Sequence, residues 1–192
     1  MARSFELIII GGSAGSVQVI SKIIHGLSPA VQTPVVVVLH RLKNVSSEMH
    51  KILSAHTDKK IVEPDDKEPI RDSYIYLAPQ NYHLLVENDF TFSLDYSEVV
   101  QYSRPSIDVT LESAAKVYGN KVFAILLSGA NKDGSNGIAE IIARGGEAIV
   151  QDPQTAVYPA MPLAAISINK NVTALEPDQI ITYLNTHLKP GL

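Results

Sequence analysis

Apolar residues in this chain come in short, nearly unbroken runs, and between several of them the pattern changes to helical spacing. The runs are residues 7–10, 35–39, 74–77, 122–127 and 148–150. Their lack of polar alternation is what strands buried on both faces require. Helical periodicity marks residues 17–24, 107–117 and 135–143, and near the end Ile180, Ile181, Leu184 and Leu188 share one face of residues 178–188. Strand and helix in alternation predict a doubly wound α/β fold, with a mainly parallel sheet covered by helices on both faces. The segment "YHLLVENDFTFSLDY" differs: two extended runs flank Asn88-Asp89, and they read as an antiparallel hairpin at an edge. No repeat, low-complexity tract or linker interrupts the chain, so a single domain over residues 1–192 is expected.

Composition narrows the chemistry. A hydrophobic content of 45% over 192 residues is enough for a substantial core. The net charge is −4 and Lys and Arg are scattered, which leaves no electrostatic footprint for nucleic acid. The absence of cysteine removes disulfides, thiol nucleophiles, thiolate metal sites and iron–sulfur ligation, and it agrees with the expected cytoplasmic location. No apolar run approaches the ~20 residues of a membrane span. The early "LIII" follows Glu6 directly and precedes no cleavage site, so it reads as a buried strand.

That first strand runs into "GGSAGS", where Gly11, Ser13 and Gly15 form G-x-S-x-G ahead of a predicted helix. Small neighbours permit a sharp turn that presents a serine hydroxyl at the carboxyl end of the strand. The following helix directs unpaired backbone N–H groups at the same point, where they can hold developing negative charge. Plainer readings compete: a helix-capping serine, a phosphate cradle or a dinucleotide site. The dinucleotide pattern does not fit, because Ser13 stands where the second glycine belongs, and a Walker loop would need Gly-Lys-Ser/Thr.

A nucleophilic serine requires a base. His40 ends "VVVVLH" and so lies at the tip of a buried strand, on the rim where open parallel sheets bind ligands. His25 falls late in the first helix, where a cation suits the dipole. His83 opens a hairpin strand as a packed or rim residue, and His187 sits near the end of the last helix in solvent. His50 and His56 fall in a polar helical stretch, but they share no helix face and form no H-E-x-x-H, so no metal is expected, and no cofactor motif is present. Asp133 follows another buried strand in "LLSGANKDGSNGI". It is placed either to orient an imidazole or to cap the helix near Ser135. Ser13, His40 and Asp133 each follow a separate strand on its carboxyl side, and a parallel sheet gathers such positions on one rim. Backbone N–H groups of Ala14 and Ala130 are the expected oxyanion donors.

The blocks "IIIGGSAGS", "VVLH", "YIYLAPQNYHL", "SRPSIDVTLESAAKVYG", "FAILLSGANKDGSNGI" and "IVQDPQTAVYPAMPLAAI" stand in a familiar order and spacing. In these the chain resembles the catalytic domain of the chemotaxis protein-glutamate methylesterases, the CheB type, from about Phe5 to the final helix. The resemblance implies a doubly wound sheet with an inserted hairpin. It also implies an esterase acting on γ-glutamyl methyl esters of cytoplasmic chemoreceptor helices, with glutamine deamidation as a companion activity. It places nucleophile, base and acid on Ser13, His40 and Asp133. Arg104, in "SRPSID", is then a candidate to steer an acidic receptor helix, against the ordinary reading of a loop-bracing arginine.

The chain also departs from its relatives. Two-domain members carry a receiver domain before the esterase, whereas only "MARS" precedes Phe5. No receiver is therefore expected in this chain, which is either free-standing or a fragment, with a separate receiver or another chemotaxis signalling protein as a further partner. "RLKN" follows His40 where many relatives have Met-Pro, and "GANKDG" stands where relatives often have a methionine and a second small residue. Two readings from other classes stay open: a catalytically silent signalling module of the same fold, and a nucleotide-binding α/β protein.

Overall fold

Strands that are apolar on both sides need cover on both sides, and the architecture follows from that requirement. The computed structural model describes residues 5–41, 48–55 and 57–188. Its main sheet is built from β1 (Leu7–Gly12), β2 (Val35–Leu39), β3 (Lys60–Val62), β4 (Tyr74–Leu77), β7 (Val122–Leu126), β8 (Glu147–Gln151) and β9 (Thr173–Leu175). The order is β3-β4-β2-β1-β7-β8-β9, and every pairing in it is parallel. The helices are α1 (Val17–Gly26), α2 (Met49–Ser54), α3 (Ile107–Tyr118), α4 (Ser135–Ala143), α5 (Ala160–Ile168) and α6 (Pro177–His187).

Alternate residues of each central strand feed two separate cores. Ile8 and Ile10 of β1, Val35 and Val37 of β2, and Phe123 and Ile125 of β7 pack with Ile20, Ile23 and Ile24 of α1 and Ile180 and Leu184 of α6. Leu7, Ile9, Val36, Val38, Ala124 and Leu126 face the other way, onto Ile107 and Leu111 of α3, Ile138 and Ile141 of α4, and Met161 and Ala165 of α5. This is the two-faced burial read from the apolar runs. It fixes register, because a slip of one residue would exchange the two sets.

The hairpin departs from the expected edge position. β5 (His83–Val86) and β6 (Phe92–Asp95) form their own two-stranded antiparallel sheet. Its apolar side chains Leu84, Val86 and Phe92 are buried with Tyr76, Ile107 and Leu111. The Leu84 carbonyl accepts from Thr110 Oγ1 at 2.7 Å, and Val86 N–H donates to Ser113 Oγ at 3.0 Å. Side chains of α3 thus occupy backbone groups of β5, and the hairpin lies over that helix.

Three elements, β3, β9 and α5, escape the periodic reading, while the polar helical stretch expected around His50 is α2. β3 and β9 are each three residues long, and α2 is a six-residue helix. α5, "AMPLAAISI", is apolar almost all round and has no polar face to reveal its period. His50 lies on α2, while His56 falls outside the described residues.

Ile10 has no exposed surface at the centre of the sheet. Ile10→Ala is expected to lower unfolding free energy by about 3 kcal/mol through lost burial and a residual cavity. Urea denaturation should show a lower midpoint with an unchanged slope.

Candidate active site

β1 lies between β2 and β7, and the connections leave it in opposite directions, which makes its carboxyl end the switch point of the sheet. Ser13 follows β1 and His40 follows β2. The two strands are paired up to Gly12 and Leu39, and the His40 N–H reaches the Gly12 carbonyl at 3.3 Å. Asp133 comes from the loop after β7, on the other flank of β1.

The Ser13 turn is held by short polar contacts. Ser13 N–H donates to the Ser128 carbonyl at 2.9 Å, and its own carbonyl accepts from Ser16 Oγ at 2.6 Å and Ser16 N–H at 3.1 Å. Gly15 has φ +78°, and a Cβ there would stand 2.6 Å from Val157 Cβ, so conformation and space both demand glycine. Ser128 Oγ donates to the Ala14 carbonyl at 2.8 Å and accepts from Tyr158 N–H at 2.9 Å, and Ser128 N–H donates to Gln151 Oε1 at 3.0 Å. Ser128 and Gln151 therefore brace the turn from β7 and β8. The backbone N–H groups of Ala14 and Ala130 donate no hydrogen bond among the described residues.

Asp133 is fully buried and its carboxylate is densely engaged. Oδ2 accepts from His40 Nε2 and from Ile107 N–H, each at 2.7 Å. Oδ1 accepts from Ser106 Oγ at 2.9 Å and from the N–H groups of Asp108 and Gly134 at 3.0 Å. Asp133 thus caps the start of α3, not the helix that follows it in sequence. Burial works against its charge, but the His40 contact and the α3 N–H groups outweigh burial and hold the carboxyl below its ordinary value. Gly134, at φ +91°, makes the turn into α4, and a Cβ there would lie 2.5 Å from Leu126 Cδ1.

α4 receives its own carboxylate in return. Asp108, in the first turn of α3, accepts from Gly137 N–H at 2.7 Å and Asn136 Nδ2 at 3.4 Å. The two helices exchange acidic caps, each carboxylate resting on the other's amino end. Asp108 is 3% exposed. Burial, opposed by Gly137 N–H and reinforced by the nearby charge of Asp133, pushes its carboxyl up to about 6.

His83 is the packed histidine beneath this layer, with no exposed surface. Its Nε2 donates to the Glu98 carbonyl at 2.9 Å and its Nδ1 accepts from Ser106 N–H at 3.1 Å, which fixes the residue whose hydroxyl bonds Asp133. Ser106, Asp108, Ser128 and Gln151 were not legible as site residues. Only the acid in the first turn of a helix offered a signal, through the dipole.

His40 has its ring 10% exposed. Its second nitrogen, Nδ1, lies 3.1 Å from Ser103 Oγ. Among the described residues no hydrogen bond joins Ser13 Oγ to His40. Arg41 anchors the chain beyond the imidazole by donating to Glu63 at 2.8 Å and to the Ala78 carbonyl at 2.6 Å. Residues 42–44 of the altered "RLKN" stretch lie outside the described residues. Arg104 donates to the carbonyls of Tyr96 and Ser97 at 3.1 and 2.5 Å and stacks over the Tyr96 ring at 3.8 Å. A cavity of about 720 Å³ lined by His25, Lys59, Lys60 and Tyr74 shares no residue with this rim.

A doubly wound parallel sheet that carries a serine turn, an imidazole and a carboxylate beyond the carboxyl ends of β1, β2 and β7 defines the class of α/β proteins with their candidate site at the switch point of the sheet. The CheB methylesterase family matches residues 8–184, and the chain belongs to that family. It is 43% identical over 163 residues to a putative protein-glutamate methylesterase/protein-glutamine glutaminase of Leptospira interrogans, covering 85% of this chain and 84% of that protein. The protein-glutamate methylesterase/protein-glutamine glutaminase of Thermotoga maritima is 31% identical over 168 residues, or 86% of this chain and 49% of its own length. The crystal structure of the Thermotoga maritima CheB methylesterase catalytic domain superposes with a TM-score of 0.90 at 29% identity, over 95% of this chain and 98% of that one. No helix among the described residues is long and apolar enough to cross a membrane.

Because the folded state holds Asp108 protonated up to about pH 6 while the unfolded chain ionises near its ordinary value, its ionisation weakens the fold as pH rises through that window. Asp108→Asn should therefore gain on the wild type between pH 4 and pH 7, by on the order of 3 kcal/mol, in urea denaturation at the two pH values. A constant difference would mean that Asp108 titrates alike in the folded and unfolded states.

Proposed function

We propose that this chain hydrolyses γ-glutamyl methyl esters on chemoreceptor helices, releasing methanol, with Ser13 as nucleophile, His40 as base and Asp133 as its orienting acid. The observation that carries this reading is the 2.7 Å contact between His40 Nε2 and Asp133 Oδ2, one strand away from the Ser13 turn, in a chain of the CheB methylesterase family. Exposed Tyr96, Tyr102, Val157 and Tyr158 on segments adjoining the site support a polypeptide substrate. The cytoplasm, where the receptor helices lie, is the compartment this substrate requires, and a receiver or other signalling protein is a further partner.

With the ionised Asp133 accepting from Nε2–H, the basic nitrogen of the neutral ring is Nδ1. Ser13 Oγ attacks the ester carbonyl as its proton passes to Nδ1, and Asp133 steadies the imidazolium. The tetrahedral oxyanion is held by the N–H groups of Ala14 and Ala130. Collapse breaks the bond to methoxide, which takes the proton from His40 and departs as methanol. Water then attacks the acyl-enzyme through the same base, giving the glutamate carboxylate and restoring Ser13. A glutamine side chain follows the same path with ammonia as leaving group, which is the deamidation reading.

Ser13→Ala should cut methanol release from methylated receptor by on the order of 10³-fold or more, and Ser13→Ala combined with His40→Ala should be no worse than either alone. Equal release by wild type and Ser13→Ala would favour a silent signalling module of the same fold.

A further inference from the structure

Ser103 stands against the imidazole of His40 at the nitrogen that Asp133 does not hold. Its Oγ is 3.1 Å from Nδ1, while Asp133 Oδ2 holds Nε2 at 2.7 Å. In the neutral ring Nε2 carries the proton, so Nδ1 accepts and the Ser103 hydroxyl donates. Nδ1 offers one in-plane lone pair, and the acyl-transfer scheme needs that same lone pair for the Ser13 proton. Two hydroxyls compete for one acceptor, and among the described residues Ser103 occupies it.

The surroundings of Ser103 hold its hydroxyl in place without equipping it for attack. Val100 and Ser103 exchange backbone bonds of 3.1 and 2.9 Å across Gln101 and Tyr102, whose φ values are +48° and +64°. These close a two-residue hairpin turn of the primed kind. Asn131 Nδ2 donates to the Gln101 carbonyl at 3.3 Å, tying the turn to the loop that carries Asp133. The Ser103 N–H is used within the turn, Pro105 has none, and Ser106 N–H is given to His83. Ser13, by contrast, precedes a helix start with unused N–H groups. At the tip of the turn, Tyr102 is 94% exposed.

We propose that Ser103 is a positioning residue of the base. Its hydroxyl latches His40 Nδ1 in the resting protein, and a polypeptide substrate pressing on the 101–102 tip withdraws it so that Ser13 takes its place. The latch rests on the acyl-transfer reading and adds a selectivity to it: small reagents, which cannot press on the tip, meet a base that is already engaged.

The test compares wild type, Ser103→Ala, Ser103→Thr and Ser13→Ala with a fluorophosphonate. In that reaction Ser13 Oγ bonds to phosphorus, fluoride leaves and His40 takes the proton. Ser103→Ala should be labelled roughly three- to tenfold faster than wild type, the worth of one neutral hydrogen bond. Ser103→Thr, which keeps the hydroxyl, should stay near the wild-type rate. Peptide mapping should find the label on Ser13, with none in Ser13→Ala. Independently, the ¹⁵N resonance of His40 Nδ1 should move in Ser103→Ala and not in Ser103→Thr, a signature that general loosening of the turn would not confine to the hydroxyl. Equal labelling of Ser13 in wild type and Ser103→Ala, or an unmoved Nδ1 resonance, overturns the latch and leaves the esterase reading standing. Label on Ser103, or none on any variant, removes Ser13 as nucleophile and the exchange with it.

Discussion

The carboxylate of Asp133 at the amino end of α3 is the constraint on which the candidate site depends. A buried charge is tolerated only where donors replace the water it has lost, and here backbone N–H groups, a hydroxyl and an imidazole do so. Because most of those donors belong to the first turn of α3, the position of His40 is tied through one side chain to a helix that comes from neither of the strands carrying Ser13 and His40. The reciprocal contact of Asp108 with α4 makes the attachment mutual. Neither helix can shift without uncapping the other.

Around this joint lies a layer of buried polar side chains, and those that hold the site bond one another. His83 holds Ser106, Ser106 holds Asp133, and Ser128 holds both the Ala14 carbonyl and the Tyr158 segment. Such networks fix geometry to a fraction of an ångström when fully satisfied. The exposed face of the site is organised differently, by the 100–103 turn, the Tyr96–Arg104 stack and the chain leaving His40 beside Arg41.

The central strands were legible because burial on both faces leaves short apolar runs, here mostly of β-branched residues. α1, α3, α4 and α6 were legible because each has one wet face. β3 and β9 are too short to show a period, and α5 lacks a polar face, so local pattern had no purchase on them. The hairpin was recognisable as a hairpin, but its docking on α3 depends on Thr110 and Ser113, which lie far along the chain from the strand they contact.

Taken alone, the sequence determined the fold class, the glycine-bounded turn at Ser13, and the placing of Ser13, His40 and Asp133 at the ends of separate strands. Those follow from spacing along the chain, where hydrophobic period and turn chemistry act over a few residues. Tertiary structure alone decided which helix Asp133 caps, that Asp108 answers it, and that Ser103 faces the second nitrogen of His40. Each of these joins groups 25 or more residues apart. Contacts of that kind leave no periodic trace, since their partners are set by how layers pack and not by what stands next in sequence.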